Sequence, residues 1–285
     1  MTVLTLDSSP SLPKLYAKAA GGSLKTVKSV SADSLPDLEV VLDGASVSAA
    51  TLTAYHRLVG GATTDHVDSV ALHGLGFPVA LALMSRPEFP LPLMGAVHLS
   101  NHASLLRPVR VGESLTVRAT AQDLAAHHAG TTVTIVTRLF SGADEVHVSR
   151  SVYLAKGVRL QGSEAPKRPE RATFQTPVPT GAWKLPASIG RAWAEVLGDW
   201  NPIHLGALPA KALGRKRAIA HGTYLAARAL QGAVRADQVH EWEITFGAPV
   251  SLPGTVSFAR ESDGAFSGWD ARRGREHFSG SVRAL

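Results

Sequence analysis

The chain contains no cysteine. Disulfide frameworks, thiolate zinc sites, iron–sulfur ligation and cysteine nucleophiles are therefore excluded, while that count leaves the redox compartment open. Charge is scarce as well: 18% of the 285 residues are charged against 45% hydrophobic, with mean hydropathy +0.06. Such a balance excludes a disordered or acidic solvating chain, and the length accommodates one large domain or two of about 140 residues. Long apolar runs are also missing. Stretches such as Phe77 to Met84 reach about half the roughly 20 residues that cross a bilayer. The N-terminus, with Asp7 and Pro10, lacks the basic start and unbroken apolar core of a signal peptide. A soluble, cytoplasmic protein without membrane insertion is expected.

Several catalytic signatures are absent too. Gly74-Leu-Gly76 lacks the third glycine of a dinucleotide loop, and no Gly-x-Ser-x-Gly elbow or Walker lysine occurs. The 12 histidines include the pairs His98/His102 and His127/His128, neither in a helical His-Glu-x-x-His, so no metal site is expected. A net charge of +6 and a pI near 9.8 attract polyanions, among them nucleic acid, acidic carrier proteins and phosphorylated cofactors. Without a recognition helix or an aromatic-basic repeat, nucleic acid is set aside.

What the chain does contain is itself, twice. Val47 to Gly60 lies over Leu185 to Gly198 without a gap, matching Ala49/Ala187, Ala54/Ala192, Tyr55/Trp193 and Gly60/Gly198, and the register runs on to His66/His204. Phe77–Met84 parallels Thr223–Leu230, placing Gly76 on Gly222, and Arg107–Gly112 parallels Ala248–Pro253. Val146–Val152 then matches Glu276–Val282. Similarities in one order along both halves indicate a duplicated unit with loop insertions. The proline-rich stretch 157–179 is the natural linker, leaving copies at 1–156 and 180–285. Each copy reads as a short helix ending at glycine, a buried alanine-rich helix, then alternating strands such as Ser114–Ala119 and Thr255–Arg260. This is an α+β pattern, a helix packed on an antiparallel sheet, and two such sheets can pair edge to edge.

Chemistry concentrates in Gly198-Asp199-Trp200-Asn201-Pro202-Ile203-His204. Asn-Pro imposes an extended or turn conformation at Asn201, so Asp199 and His204 can converge from the two limbs of the loop. A carboxylate and an imidazole held together are the usual equipment for moving protons to and from a bound water.

The spacing Gly-Asp-x-Asn-Pro-x-His resembles the signature of the MaoC-like family, the (R)-specific enoyl-CoA hydratases and 3-hydroxyacyl-thioester dehydratases of the hotdog fold. Its five fixed letters arise by chance on the order of once in several million start positions. The resemblance covers about Trp183 to the end, and the duplication extends it to a double hotdog. It implies a general acid/base pair at Asp199 and His204, oriented by Asn201. It also makes Ala220-His221-Gly222 the oxyanion site, with the Gly222 amide on the thioester carbonyl. No metal or redox cofactor is implied. The expected substrate is an acyl-CoA or an acyl carrier protein thioester, and either a monomer or a further homodimer fits the duplication.

The N-terminal copy departs from the motif, reading Gly60-Gly61-Ala62-Thr63-Thr64-Asp65-His66. Gly61 stands for the acid, so His66 lacks its partner. This copy is expected to be a silent scaffold whose altered helix start, Gly76-Phe77-Pro78, opens space for an acyl chain; His73-Gly74 is read as decoration. Between His204 and His221, Lys211, Arg215, Lys216 and Arg217 form a basic insert suited to coenzyme A phosphates or an acidic carrier, with Arg215, Lys216 and Arg217 the principal contacts. Two alternatives stay open: a hotdog thioesterase and a non-catalytic acyl-thioester binding subunit.

Overall fold

The computed structural model describes residues 1–22, 27–170 and 173–285. The first half comprises β1 (Thr2–Leu6), α1 (Leu12–Gly22), β2 (Ser29–Val30), β3 (Leu38–Ala45), α2 (Ala49–Val59), α3 (Ser69–Met84), β4 (Val97–Leu105), β5 (Leu115–His127), β6 (Gly130–Ser141), β7 (Asp144–Lys156) and β8 (Arg159–Leu160). The second comprises β9 (Gly181–Leu185), α4 (Ile189–Leu197), α5 (Pro202–Leu205), α6 (Ala207–Ala212), α7 (Gly222–Leu230), β10 (His240–Phe246), β11 (Gly254–Arg260), β12 (Ala265–Asp270) and β13 (Arg275–Ala284). None of the helices among the described residues is long and apolar enough to cross a membrane.

Local chemistry explains the short helices. Ser48 caps α2, its Oγ accepting from the Thr51 amide at 3.1 Å. Both α2 and α4 stop where Gly60 and Gly198 turn left-handed, at φ of 74° and 78°, a conformation that costs glycine nothing. In β5, buried Leu115, Val117 and Ala119 alternate with Thr116 and Arg118, as a strand lying on a core requires.

The strands form one 11-stranded sheet in the order β1-β3-β5-β6-β7-β4-β10-β13-β12-β11-β9. From the outside inward, β3-β5-β6-β7-β4 in one half repeats as β9-β11-β12-β13-β10 in the other, so the duplication is complete at the level of topology. The halves join by antiparallel pairing of β4 with β10, from His240↔Leu105 to Thr245↔Ser100. Each half is a hotdog, a sheet wrapping a central helix, α3 or α7. The repeated aromatics meet where the short helices pack together: Tyr55 and Trp193 lie 5.5 Å apart, both essentially buried. One apolar core runs through both halves.

The structure corrects the repeat register at two points. His66 bridges Arg110 just as Ile219 bridges Ser251, and the Val67 amide meets the Val109 carbonyl as the Ala220 amide meets Val250. His66 therefore occupies the place of Ile219, and His204 belongs to an insertion, α5 and α6, that the first half lacks. The buried helix of the first half starts at Ser69, which makes Ser69 the counterpart of Gly222. Gly76 and Pro78 lie inside α3, and a Cβ on Gly76 would press on Thr137 Oγ1 at 2.9 Å. Gly76 lets α3 pack on β6; it does not open a helix start.

Candidate active site

The loop that carries Asp199 and His204 is built from α4 onward. After Gly198, the Asp199 carboxylate folds back so that Oδ1 accepts the Asn201 amide at 3.1 Å. Asn201 in turn caps α5, its Oδ1 accepting from the Ile203 amide at 3.3 Å, while Pro202 takes the first helical position, where its missing N–H costs nothing. Asn201 thus starts the helix that carries His204. Gly190 fixes where that helix lies, because a Cβ there would overlap the His204 carbonyl oxygen.

Two carbonyl groups set the histidine tautomers. His204 Nδ1 lies 2.8 Å from the Ile219 carbonyl and His221 Nε2 lies 2.9 Å from the Asp199 carbonyl. A carbonyl only accepts, so these nitrogens carry the protons, leaving lone pairs on His204 Nε2 and His221 Nδ1. The rings stack with centroids 3.7 Å apart. Burial lowers the His204 pKa, partly opposed by the Asp199 charge; burial and then His204 lower that of His221 further. Both imidazoles are consequently neutral near pH 7. Asp199 Oδ2 lies 3.7 Å from His221 Nε2. The ligand-type atoms of Asp199, His204 and His221 all fall within 4.8 Å of one another, so this trio has the donor set to hold a divalent cation.

Gly222 opens α7, where first-turn N–H groups have no partner within the helix and the dipole favours negative charge. A Cβ at this position would lie 2.6 Å from the Phe246 ring, so close packing favours glycine here.

Sequence reasoning treated His221 only as part of a landmark, weighed His98 only as a metal ligand, and missed Tyr16, Tyr153 and Phe246. The Tyr16 hydroxyl donates to Asp199 Oδ1 at 3.1 Å. His98 stacks on Tyr153 with centroids 4.7 Å apart and lies 5.2 Å from Phe246; burial, with His73 adding to it, pushes its pKa down to about 3. Tyr16, His98 and Tyr153 all come from the first half, and nothing in their local sequence marks them.

The first half shows why its own copy differs. The space of an acid side chain at Gly61 is filled by Gln231 and His56. His66 does have a carboxylate neighbour, Asp65 at 2.9 Å, but Asp65 is exposed and also binds Arg110 at 2.6 Å. At the helix start, Asp68 takes the capping place of His221 and contacts buried His56 at 3.0 Å. Ser69 Oγ, where the other half has Gly222, binds His147 and accepts the Trp242 N–H at 2.8 Å.

The basic insert leaves from His204 on α5 and returns at Ile219, whose carbonyl holds His204. Lys211, Lys216 and Arg217 are exposed, Arg215 is half-buried, and none is ion-paired among the described residues. A groove of about 750 Å³ reaches the same loop at Gly198 and Trp200 but not Asp199 or His204. Its ionisable lining is acidic, Asp7, Asp43 and Glu195, which makes it unsuited to phosphates.

Fold and site together define a double-hotdog protein with an Asp–His pair at the start of a central helix. Residues 165–274 match the MaoC like domain family. The chain is 31% identical to 3-hydroxyacyl-thioester dehydratase X of Mycobacterium tuberculosis over 97% of its own length and 99% of that protein's. The crystal structure of HtdX from Mycobacterium tuberculosis superimposes with a TM-score of 0.74 at 30% identity, covering 86% of this chain and 99% of that one. A MaoC-like dehydratase from Phytophthora capsici shares the fold, with a TM-score of 0.71 at 19% identity over 90% of this chain and 98% of that one. This chain belongs to the MaoC-like dehydratase family.

Proposed function

We propose that the protein is a hydro-lyase interconverting trans-2-enoyl and (3R)-3-hydroxyacyl thioesters of coenzyme A or an acyl carrier protein, in fatty-acid metabolism. The observation that carries this reading is the convergence of Asp199 and His204, with His204 Nδ1 committed to the Ile219 carbonyl and the Nε2 lone pair free. In hydration a water held between them bonds to C3 as its proton passes to His204 Nε2. The electron pair of the double bond moves toward the thioester oxygen, which rests on the Gly222 amide. The imidazolium, stabilised by the Asp199 charge, then returns the proton to C2. Residues 1–156 serve as the silent half and 157–179 as the linker. The acyl chain lies against the apolar cluster of Phe77, Leu81, Leu93 and Met94, which Tyr16 connects to Asp199. Arg215, Lys216 and Arg217 meet the phosphates or the acidic carrier.

The test follows crotonyl-CoA and a longer enoyl-CoA by loss of the conjugated thioester absorbance, with free thiol measured in parallel. Asp199→Asn and His204→Ala should each lower turnover by about 10² to 10⁴, and the double variant little more, whereas His66→Ala stays within a few-fold. Absorbance loss with stoichiometric thiol release means a thioesterase, absorbance loss without thiol means hydration, and binding without turnover means a binding subunit. Near-normal turnover by folded Asp199→Asn would falsify the site assignment.

A further inference from the structure

Tyr16 and Asp199 are 183 positions apart, yet the phenol donates to Oδ1 at 3.1 Å. The Tyr16 side chain is 7% exposed and Leu12, one turn earlier, 3%; both pack on Leu81 of α3 with Phe77, Leu93 and Met94 alongside. Burial, then the Asp199 charge, raise the phenol pKa far above its ordinary value. The hydroxyl therefore stays protonated, and toward a carboxylate it can only donate. Oδ1 thus carries two donors, the Tyr16 hydroxyl and the Asn201 amide. Oδ2 faces the stacked histidines instead, 3.7 Å from His221 Nε2.

We infer that Tyr16 is a positioning residue for the reaction: by tying Oδ1 it holds the Asp199 carboxylate so that Oδ2 is the oxygen that grips the reacting water. The inference rests on the hydratase reading above. The one loop-internal bond alone would leave the carboxylate free to rotate, since the Asn201 backbone N–H can donate to either oxygen equally well. The second donor, from an element remote in sequence, breaks that equivalence. It also makes α1, which Leu12 and Tyr16 anchor to α3, part of the catalytic arrangement as well as of its cover.

Tyr16→Phe keeps the ring and its packing and removes only the hydroxyl. A hydrogen bond to a charged group predicts a fall in kcat of about tenfold or more with KM changed less than twofold, in a protein that stays folded with its melting temperature lowered by no more than several degrees. In an Asp199→Asn background, followed by single turnover at high enzyme concentration, the same substitution should have no further effect, because Tyr16 acts through that carboxylate. A kcat within twofold of wild type, an increase in kcat, or an equal loss in the Asp199→Asn background each overturns the inference. A crystal structure of Tyr16→Phe gives a readout independent of turnover, in which the Asp199 carboxylate should rotate away from its present position; an unmoved carboxylate also overturns it. Failure of the wild-type protein to hydrate any enoyl thioester, with the carboxylate rotating as expected, counts against the hydratase reading alone.

Discussion

Gly190→Ala separates stability from catalysis by one methyl group. Gly190 is a buried residue of α4, and a Cβ there overlaps the backbone carbonyl of His204, an atom that cannot swing aside as a side-chain tip can. Restoring an ordinary contact requires α5 to withdraw by about 1.5 Å. Alanine gains roughly 0.8–1.0 kcal/mol of helix propensity over glycine, while overpacking costs about 1–3 kcal/mol. The net loss, at most about 2 kcal/mol, is smaller than the roughly 5–15 kcal/mol of an ordinary domain, so the variant stays folded with its melting temperature lowered by a few degrees. The withdrawal is felt at His204, whose Nδ1 lies 2.8 Å from the Ile219 carbonyl. Displacement of about 1 Å at a reacting group costs on the order of 10²-fold in rate. Asp199 and His221 are held by their own bonds to the loop, so substrate affinity should change little. The check is kcat and KM on an enoyl-CoA beside thermal unfolding. Full turnover in a folded Gly190→Ala protein would show that the α4–α5 contact does not place the imidazole.

Acid should unfold the protein through its buried neutral histidines: His73, His98 and His147 are lowered from 6.5 to about 4, 3 and 3, chiefly by burial. The unfolded chain takes up these protons near pH 6.5 while the native state does not, so stability is complete above that pH and falls by up to about 4 kcal/mol per unit between pH 6 and 5. Denaturant titrations across that range measure the slope, which His73→Asn should reduce by about one proton; a wild-type slope below one proton would mean that these rings charge inside the fold. For the basic insert, replacing Arg215, Lys216 and Arg217 by Ser should raise KM for coenzyme A or carrier-protein substrates and flatten its salt dependence, because at about 0.15 M salt screening acts over roughly 8 Å. Turnover at saturation and use of a short N-acetylcysteamine thioester should be unaffected, and unchanged KM for both natural carriers at low salt makes the segment an ordinary solvated loop.

Much of this was legible locally. Gly60 and Gly198 end their helices because only glycine turns left-handed without cost, and Asn201-Pro202 turns the loop because the residue before a proline is held out of the helical region; that the same pair also starts α5 is seen only in the structure. The alternation in β5 and the ordered repeats carried the strands and the duplication. Misreading set in where local signal vanishes. α3 is apolar on nearly every side, so its pattern carries no phase, and Pro78 inside it imitates a helix start. The insertion of α5 and α6 then slid His66 onto His204, although the sheet pairs His66 as it pairs Ile219.

By itself, then, the sequence determined the short helices that end at glycine, the alternating strands, their duplication and the Asp199–His204 spacing, because caps, turns and alternation act between residues a few positions apart. Tertiary structure alone decided which atoms of that pair are free. The Ile219 carbonyl sets the His204 tautomer across an insertion, and Tyr16 reaches Asp199 from 183 residues away. His98 and Tyr153 stand near the site because β4 and β7 of the first half lie beside the seam with β10. These contacts depend on the closing of the sheet across the seam and the packing of α1 on α3, and no run of neighbouring residues encodes either.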